Sequence, residues 1–193
     1  MSNLTSLSLP KQITDAGLRH LKGLTNLQDL TLAGIQITDA GLVHIEGLTK
    51  LERLNLDNTK ITNAGLVHLK GLTNLQYLGL NGTQVTGAGL GHLAGMNLKG
   101  LAIPEQAQTD TGLKHYLAAI KPPTELHLNK HRMRPLLNWS ITDSGLVHLK
   151  ELASLQVLNL EGTPITDAGL VHLQGLAKLE KLHLGKTKVT DAG

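Results

Sequence analysis

Cysteine and phenylalanine are both absent from the 193-residue chain, and the aromatic residues amount to one Trp and two Tyr, 2% of the total. Without cysteine there is no disulfide scaffold. Without aromatic bulk to fill irregular gaps, the interior has to be aliphatic throughout. Long apolar runs are also missing, so no segment reads as a membrane span. The opening Met1-Ser2-Asn3-Leu4-Thr5-Ser6 lacks the basic and apolar regions of a secretory signal. These features favour a reducing, cytoplasmic setting, in which Asn3-Leu4-Thr5, Asn81-Gly82-Thr83 and Asn138-Trp139-Ser140 match the glycosylation acceptor pattern by chance. Charge of one sign is scarce as well. Eighteen Lys and Arg oppose fifteen Asp and Glu, and the net +3 is too small and too dispersed to imply a nucleic-acid partner.

What the chain has in abundance is leucine, 42 residues of it, which excludes disorder. The leucines recur with a period. The glycines of a repeated Thr-Asp-Ala-Gly-Leu stretch fall at Gly17, Gly41, Gly65, Gly89, Gly112, Gly145, Gly169 and Gly193, with separations of 24, 24, 24, 23, 33, 24 and 24 residues. Periods of this length signify stacked structural units. In the unit from Leu51 to Asn74, Leu54 and Leu56 alternate with Arg53 and Asn55 as on a short strand. Ile61 then turns inward, and Asp or Asn (Asp15, Asp39, Asn63, Asp143, Asp167) is placed to cap a helix start. Leu66, Leu69 and Leu72 follow at helical spacing, with Gly71 at the end of the turn. One strand and one short helix cannot bury both apolar faces alone, whereas a stack of such units closes an elongated core. The expected architecture is an α/β right-handed solenoid of about eight units, with parallel strands on a concave face and short helices on the convex one.

The pattern L-x-x-L-x-L followed by a turn and an interior aliphatic resembles the leucine-rich repeat. The I-T-D-A-G-L-x-H-L-x-G-L half is similar to bacterial 24-residue repeats and to the cysteine-containing subclass of F-box substrate receptors. Thr59, Thr83, Thr163 and Thr187 stand where those repeats carry Asn or Cys, and their hydroxyls are suited to bond backbone groups in the turn. Gln12, Ile35, Gln106 and Trp139 depart from this. The resemblance implies a protein-binding module. An F-box role would need an adaptor-binding segment that this sequence does not contain.

A single domain, 1–193, is expected, with an irregular region over 96–140. One residue is missing between Gly95 and Leu98, Pro122-Pro123 stands where Leu is expected, and Gln108 replaces an interior aliphatic. An eight-residue surplus is best placed at Lys130-His131-Arg132-Met133-Arg134-Pro135-Leu136-Leu137. This basic 130–137 loop borders the concave face and offers cations beside the only Trp, which suits an acidic partner. As a tolerated insertion it costs little free energy. Neither end carries the atypical polar unit that shields solenoid ends. The chain therefore reads as a segment of a longer protein, or as one that associates end to end with another copy.

The apparently chemical constellations have structural explanations. His20, His44, His68, His92, His115, His148 and His172 form a column along the stack, whereas metal ligands converge on a point. No metal or other cofactor is expected. Thr86-Gly87-Ala88-Gly89-Leu90-Gly91 aligns with Thr38-Asp39-Ala40-Gly41-Leu42-Val43 and is a degenerate repeat rather than a nucleotide loop. No nucleophile–base arrangement is present, so an enzyme is not expected.

The outward strand positions vary while the framework repeats. One row reads Ser6, Asp29, Arg53, Tyr77, Gly100, Glu125, Val157, Lys181, and its neighbour reads Ser8, Thr31, Asn55, Gly79, Ala102, His127, Asn159, His183. Mixed polar groups around few anchors suit a protein or peptide surface. The candidate protein-binding residues are Arg53, Asn55, Tyr77, His127, Lys130, Arg132, Arg134 and Trp139. The competing expectation is a structural spacer of a larger protein without a ligand of its own.

Overall fold

The computed structural model describes residues 3–128 and 139–193. Within them run eight three-residue strands: β1 (Ser6–Ser8), β2 (Asp29–Thr31), β3 (Arg53–Asn55), β4 (Tyr77–Gly79), β5 (Gly100–Ala102), β6 (Glu125–His127), β7 (Val157–Asn159) and β8 (Lys181–His183). The α-helices are α1 (Asp15–Leu18), α2 (Asp39–Leu42), α3 (Asp110–Ala119), α4 (Asp143–Leu146) and α5 (Asp167–Leu170). Several of the short helices continue as, or are replaced by, 3₁₀ turns such as Ala64–Leu69 and Gly89–Leu93. Leucines every third residue (Leu66, Leu69, Leu72) match the three-per-turn period of that tighter helix, and the helix expected in this repeat is 3₁₀ throughout.

All strand pairs are parallel, and their register stacks like on like. Leu7, Leu30, Leu54, Leu78 and Leu101 face one another in sequence, as do Leu126, Leu158 and Leu182. Leu30, Leu54 and Leu78 are buried, and they belong to one continuous cluster of aliphatic side chains running from Leu18 to Leu176. Full burial of each Leu supplies about 1.5–3 kcal/mol, and repetition supplies the rest. The threonines after the strands serve as expected. Thr59, Thr83, Thr163 and Thr187 donate their hydroxyls to the carbonyls of Leu56, Leu80, Leu160 and Leu184 at 2.6–2.7 Å, closing each turn within its own repeat.

The periodic acids do something other than cap. The N-cap of the short helix is the preceding threonine: Thr38 accepts from the Ala40 amide at 3.3 Å, and Thr166 does the same from Ala168. The carboxylate of the following Asp instead reaches the next repeat. Asp15 accepts both the amide and the hydroxyl of Thr38, at 2.8 and 2.7 Å, and Asp39 likewise takes both from Thr62. Asn63 accepts the Thr86 amide and donates its own NH2 to the Thr86 hydroxyl. The same rung joins Asp110 to Thr142, Asp143 to Thr166 and Asp167 to Thr190. The capping expectation is corrected accordingly, because a carboxylate at the first helical position is one repeat-spacing from the next threonine. The ladder also accounts for the periodic glycine, since a Cβ on Gly41 would lie 2.5 Å from the Asp15 carboxylate.

The irregular region divides the sheet. Strands β1–β5 form one sheet and β6–β8 another. Beside Leu98 lies Ile120, in an isolated parallel bridge, where a regular repeat would place the residue before a strand. Two prolines without amide hydrogens, Pro122 and Pro123, then separate this bridge from β6. On the helix side the stack passes this point unbroken. Helix α3 spans ten residues, and Gly87, at the place of an Asp in other repeats, lets it approach: a Cβ there would lie 2.8 Å from the Gly112 nitrogen. His115 Nδ1 is 2.8 Å from the Gly87 carbonyl. The next rung, Asp110 to Thr142, restores the ladder across the 33-residue spacing.

Gln108 is 2% exposed at its aliphatic position, and its amide donates to the Ile103 carbonyl at 3.3 Å. Trp139 meets Tyr116 edge to face at 5.5 Å between ring centroids. Two of the three aromatic residues thus pack together where the aliphatic stack is interrupted.

Candidate recognition surface

The strand face of β2–β5 carries a shallow groove of about 550 Å³ whose walls include Asp29, Thr31, Arg53, Asn55, Tyr77 and Gly100. Strand pairing sets Asp29, Arg53 and Tyr77 side by side in one outward row. The Arg53 guanidinium lies 3.3 Å from the Asp29 carboxylate and 5.2 Å from the Tyr77 ring centroid. Anion, cation and ring therefore support one another, which limits the freedom of a long arginine side chain before any ligand arrives. Tyr77 is 40% exposed, and it leans over Gly100, where a Cβ would stand 2.9 Å from its ring. A glycine in the next strand is what lets the ring lie flat along the row. The signal was present in the sequence as Tyr77 and Gly100 at one register position, but their contact required the register itself.

The other candidates divide. Asn55 is consumed by the framework: its Oδ1 accepts the Asp57 amide at 2.9 Å, as Asn159 does for Glu161. His127 is exposed on β6, 3.8 Å from the Glu125 carboxylate, and belongs to the second sheet rather than to the groove. Lys130, Arg132 and Arg134, with the rest of the 130–137 segment, lie outside the described residues. Trp139 is corrected. At 3% exposure it is a core residue, drawn in because its indole fills the gap beside Tyr116.

Most of the histidine column is half-buried, and the surroundings of its rings differ. His68 pairs with Glu46, and His115 meets the Gly87 carbonyl. Burial, followed by the charge of Lys114, holds His148 below the usual imidazole range. Among the described residues no group of three His, Cys, Asp or Glu converges on a metal position. No helix among them is long and apolar enough to cross a membrane.

Comparison with known proteins agrees with this architecture. The leucine rich repeat family models match residues 25–85 and residues 151–173. No curated protein matches the sequence. Among solved structures, an internalin from Listeria monocytogenes is similar to this chain at 22% identity and a TM-score of 0.61, covering 99% of this chain and 57% of its own. Internalin C2 of the same organism is 26% identical with a TM-score of 0.42, covering 95% of this chain and 72% of its own. This chain thus spans little more than half of the first internalin's length, and the likeness to it is one of fold. Parallel stacked strands, short helices on the opposite side and the two matched segments make this chain an α/β leucine-rich-repeat solenoid.

Proposed function

We infer that the chain is a non-catalytic recognition module that binds a protein or peptide through its strand face. The observation that carries this reading is the Asp29–Arg53–Tyr77 row. It places an exposed arginine and tyrosine, two residue types favoured at interaction hot spots, over an open groove and pre-orders them by mutual contact. Framework side chains are occupied with holding the stack together, whereas Arg53 and Tyr77 are exposed. A groove this shallow and open suits a chain segment or a protein surface better than a buried small molecule. The cations of the 130–137 segment, Lys130, Arg132 and Arg134, favour an acidic partner. The repeat is of the bacterial 24-residue type with Thr in place of Asn or Cys.

The test is affinity capture from the native host with four baits: the wild type, R53E/Y77A, a deletion of Lys130–Leu137, and V171D on the helix face. A protein recovered by the wild type and by V171D, and lost with R53E/Y77A, supports the reading. Its loss with the deletion as well assigns the loop to the same site. Equal recovery by all four baits removes the strand face from consideration, and recovery by none favours a spacer.

A further inference from the structure

We propose that the cleft beside the shortened turn at residues 95–98 binds a small soluble anion carrying two or more phosphate groups. The cleft, about 780 Å³, shares no lining residue with the strand-face groove and is lined by Lys70, Lys99, Lys121 and His92 among others, with no carboxylate among its lining residues. It forms where the period loses one residue: Gly95 and Asn97 take left-handed backbone conformations, with φ of +80° and +54°, to close the abbreviated turn.

Three lysines and a histidine share this one cleft. The parallel bridge of Leu98 to Ile120, with the Lys121 amide donating to the Leu98 carbonyl at 2.9 Å, sets Lys99 and Lys121 one step further on along neighbouring strand segments. The bridge therefore brings Lys99 and Lys121, both exposed, to the same cleft, where like charges are unfavourable unless neutralised. Arg53, Lys50 and Lys186 each have a partner in the preceding repeat: Asp29, Asn26 and Glu161. The residue one repeat before Lys99 is Gln76, and the nearby Glu52 is already paired with it at 3.4 Å. Among the described residues, Lys70, Lys99 and Lys121 have no ion pair or side-chain hydrogen bond. The half-buried His92 forms a wall of the cleft, and Thr73 and Asn97 add neutral polar groups. A single phosphate engages one or two ammonium groups and leaves the others unmatched. A ligand with several linked phosphates spans all three.

The experiment is calorimetric titration of the full chain with inorganic triphosphate in low salt, repeated with inorganic phosphate and with vesicles of phosphatidylcholine containing phosphatidylinositol bisphosphate. Saturable one-to-one binding of triphosphate is expected, weakening with added salt as screening shortens to about 10 Å at 0.1 M. K99Q/K121Q should weaken it about tenfold or more, a loss of about 1.4 kcal/mol, with the circular dichroism spectrum unchanged. The control K150Q/K178Q, whose lysines are outside the cleft, should bind as the wild type does. Absence of saturable binding, equal weakening in both double variants, phosphate binding as tightly as triphosphate, or binding to the vesicles alone would each overturn the proposal. None of these results depends on the strand face, so the protein-recognition reading stands or falls separately.

Discussion

Asp39 shows how much one side chain does in this fold. It begins a helix, accepts two hydrogen bonds from Thr62 in the next repeat, and excludes any side chain at Gly65. Asp39→Ala leaves an amide and a hydroxyl unanswered at a half-buried position, which costs about 1–3 kcal/mol. Asp39→Asn is expected to cost under about 1 kcal/mol, because Asn63 already holds the equivalent rung with both of its side-chain atoms. Urea denaturation of the two variants checks this. Asp167 adds a pH dependence. The Thr190 hydroxyl, then its amide, holds the Asp167 carboxyl below the usual range. Its folded pKa lies below the unfolded one, so the stability it contributes is present above about pH 4 and is lost as pH falls through the folded value. Following the Thr190 amide signal by NMR through an acid titration should show the rung opening below the pH at which a free aspartate titrates. The recurrence of these residues was legible in the sequence. Their partners were not, because a bond between residues 23 positions apart exists only once the coils are stacked.

At the scale of elements, β1–β8 fall where alternation placed them, and the outward rows pair in the expected register within each sheet. The ten-residue α3 was not legible, since the sequence signalled only a distortion around Pro122-Pro123 and Gln108. Its length follows from tertiary fit, with Gly87 clearing space on one side and Tyr116 meeting Trp139 on the other. Gly87→Ala should therefore force α3 away from the preceding repeat and cost about 1–3 kcal/mol, whereas Gly47→Ala, where a Cβ meets nothing within 4 Å, should not. Thermal melts of the two variants, compared with the wild type, measure the difference. Trp139 misled the sequence reading because a lone indole beside a basic insertion looks like a surface anchor, while the physical need was to fill an irregular gap in an aliphatic core.

For the whole molecule, the break between β5 and β6 places the Asp110–Thr142 rung among the contacts that couple the two sheets, beside the Thr109–Ser140 bridge, the Tyr116–Trp139 ring contact and the packing of α3 against α4. In a solenoid, stability is a sum over neighbouring units, so weakening one interface uncouples what lies on either side. Asp110→Ala should split urea unfolding into two steps, the β6–β8 unit first, as read by hydrogen exchange. A single transition in that variant would show coupling through other contacts. The functional account rests on a division of labour, in which periodic residues hold the stack and the variable strand row meets a partner. Site-specific photo-crosslinking in the native host tests this most directly, with the photoreactive residue at Tyr77 on the strand face or at Val171, which is 55% exposed on the helix face. The account predicts a discrete protein adduct from position 77 and none from position 171. An adduct from 171 alone, or the same adduct from both, would contradict it.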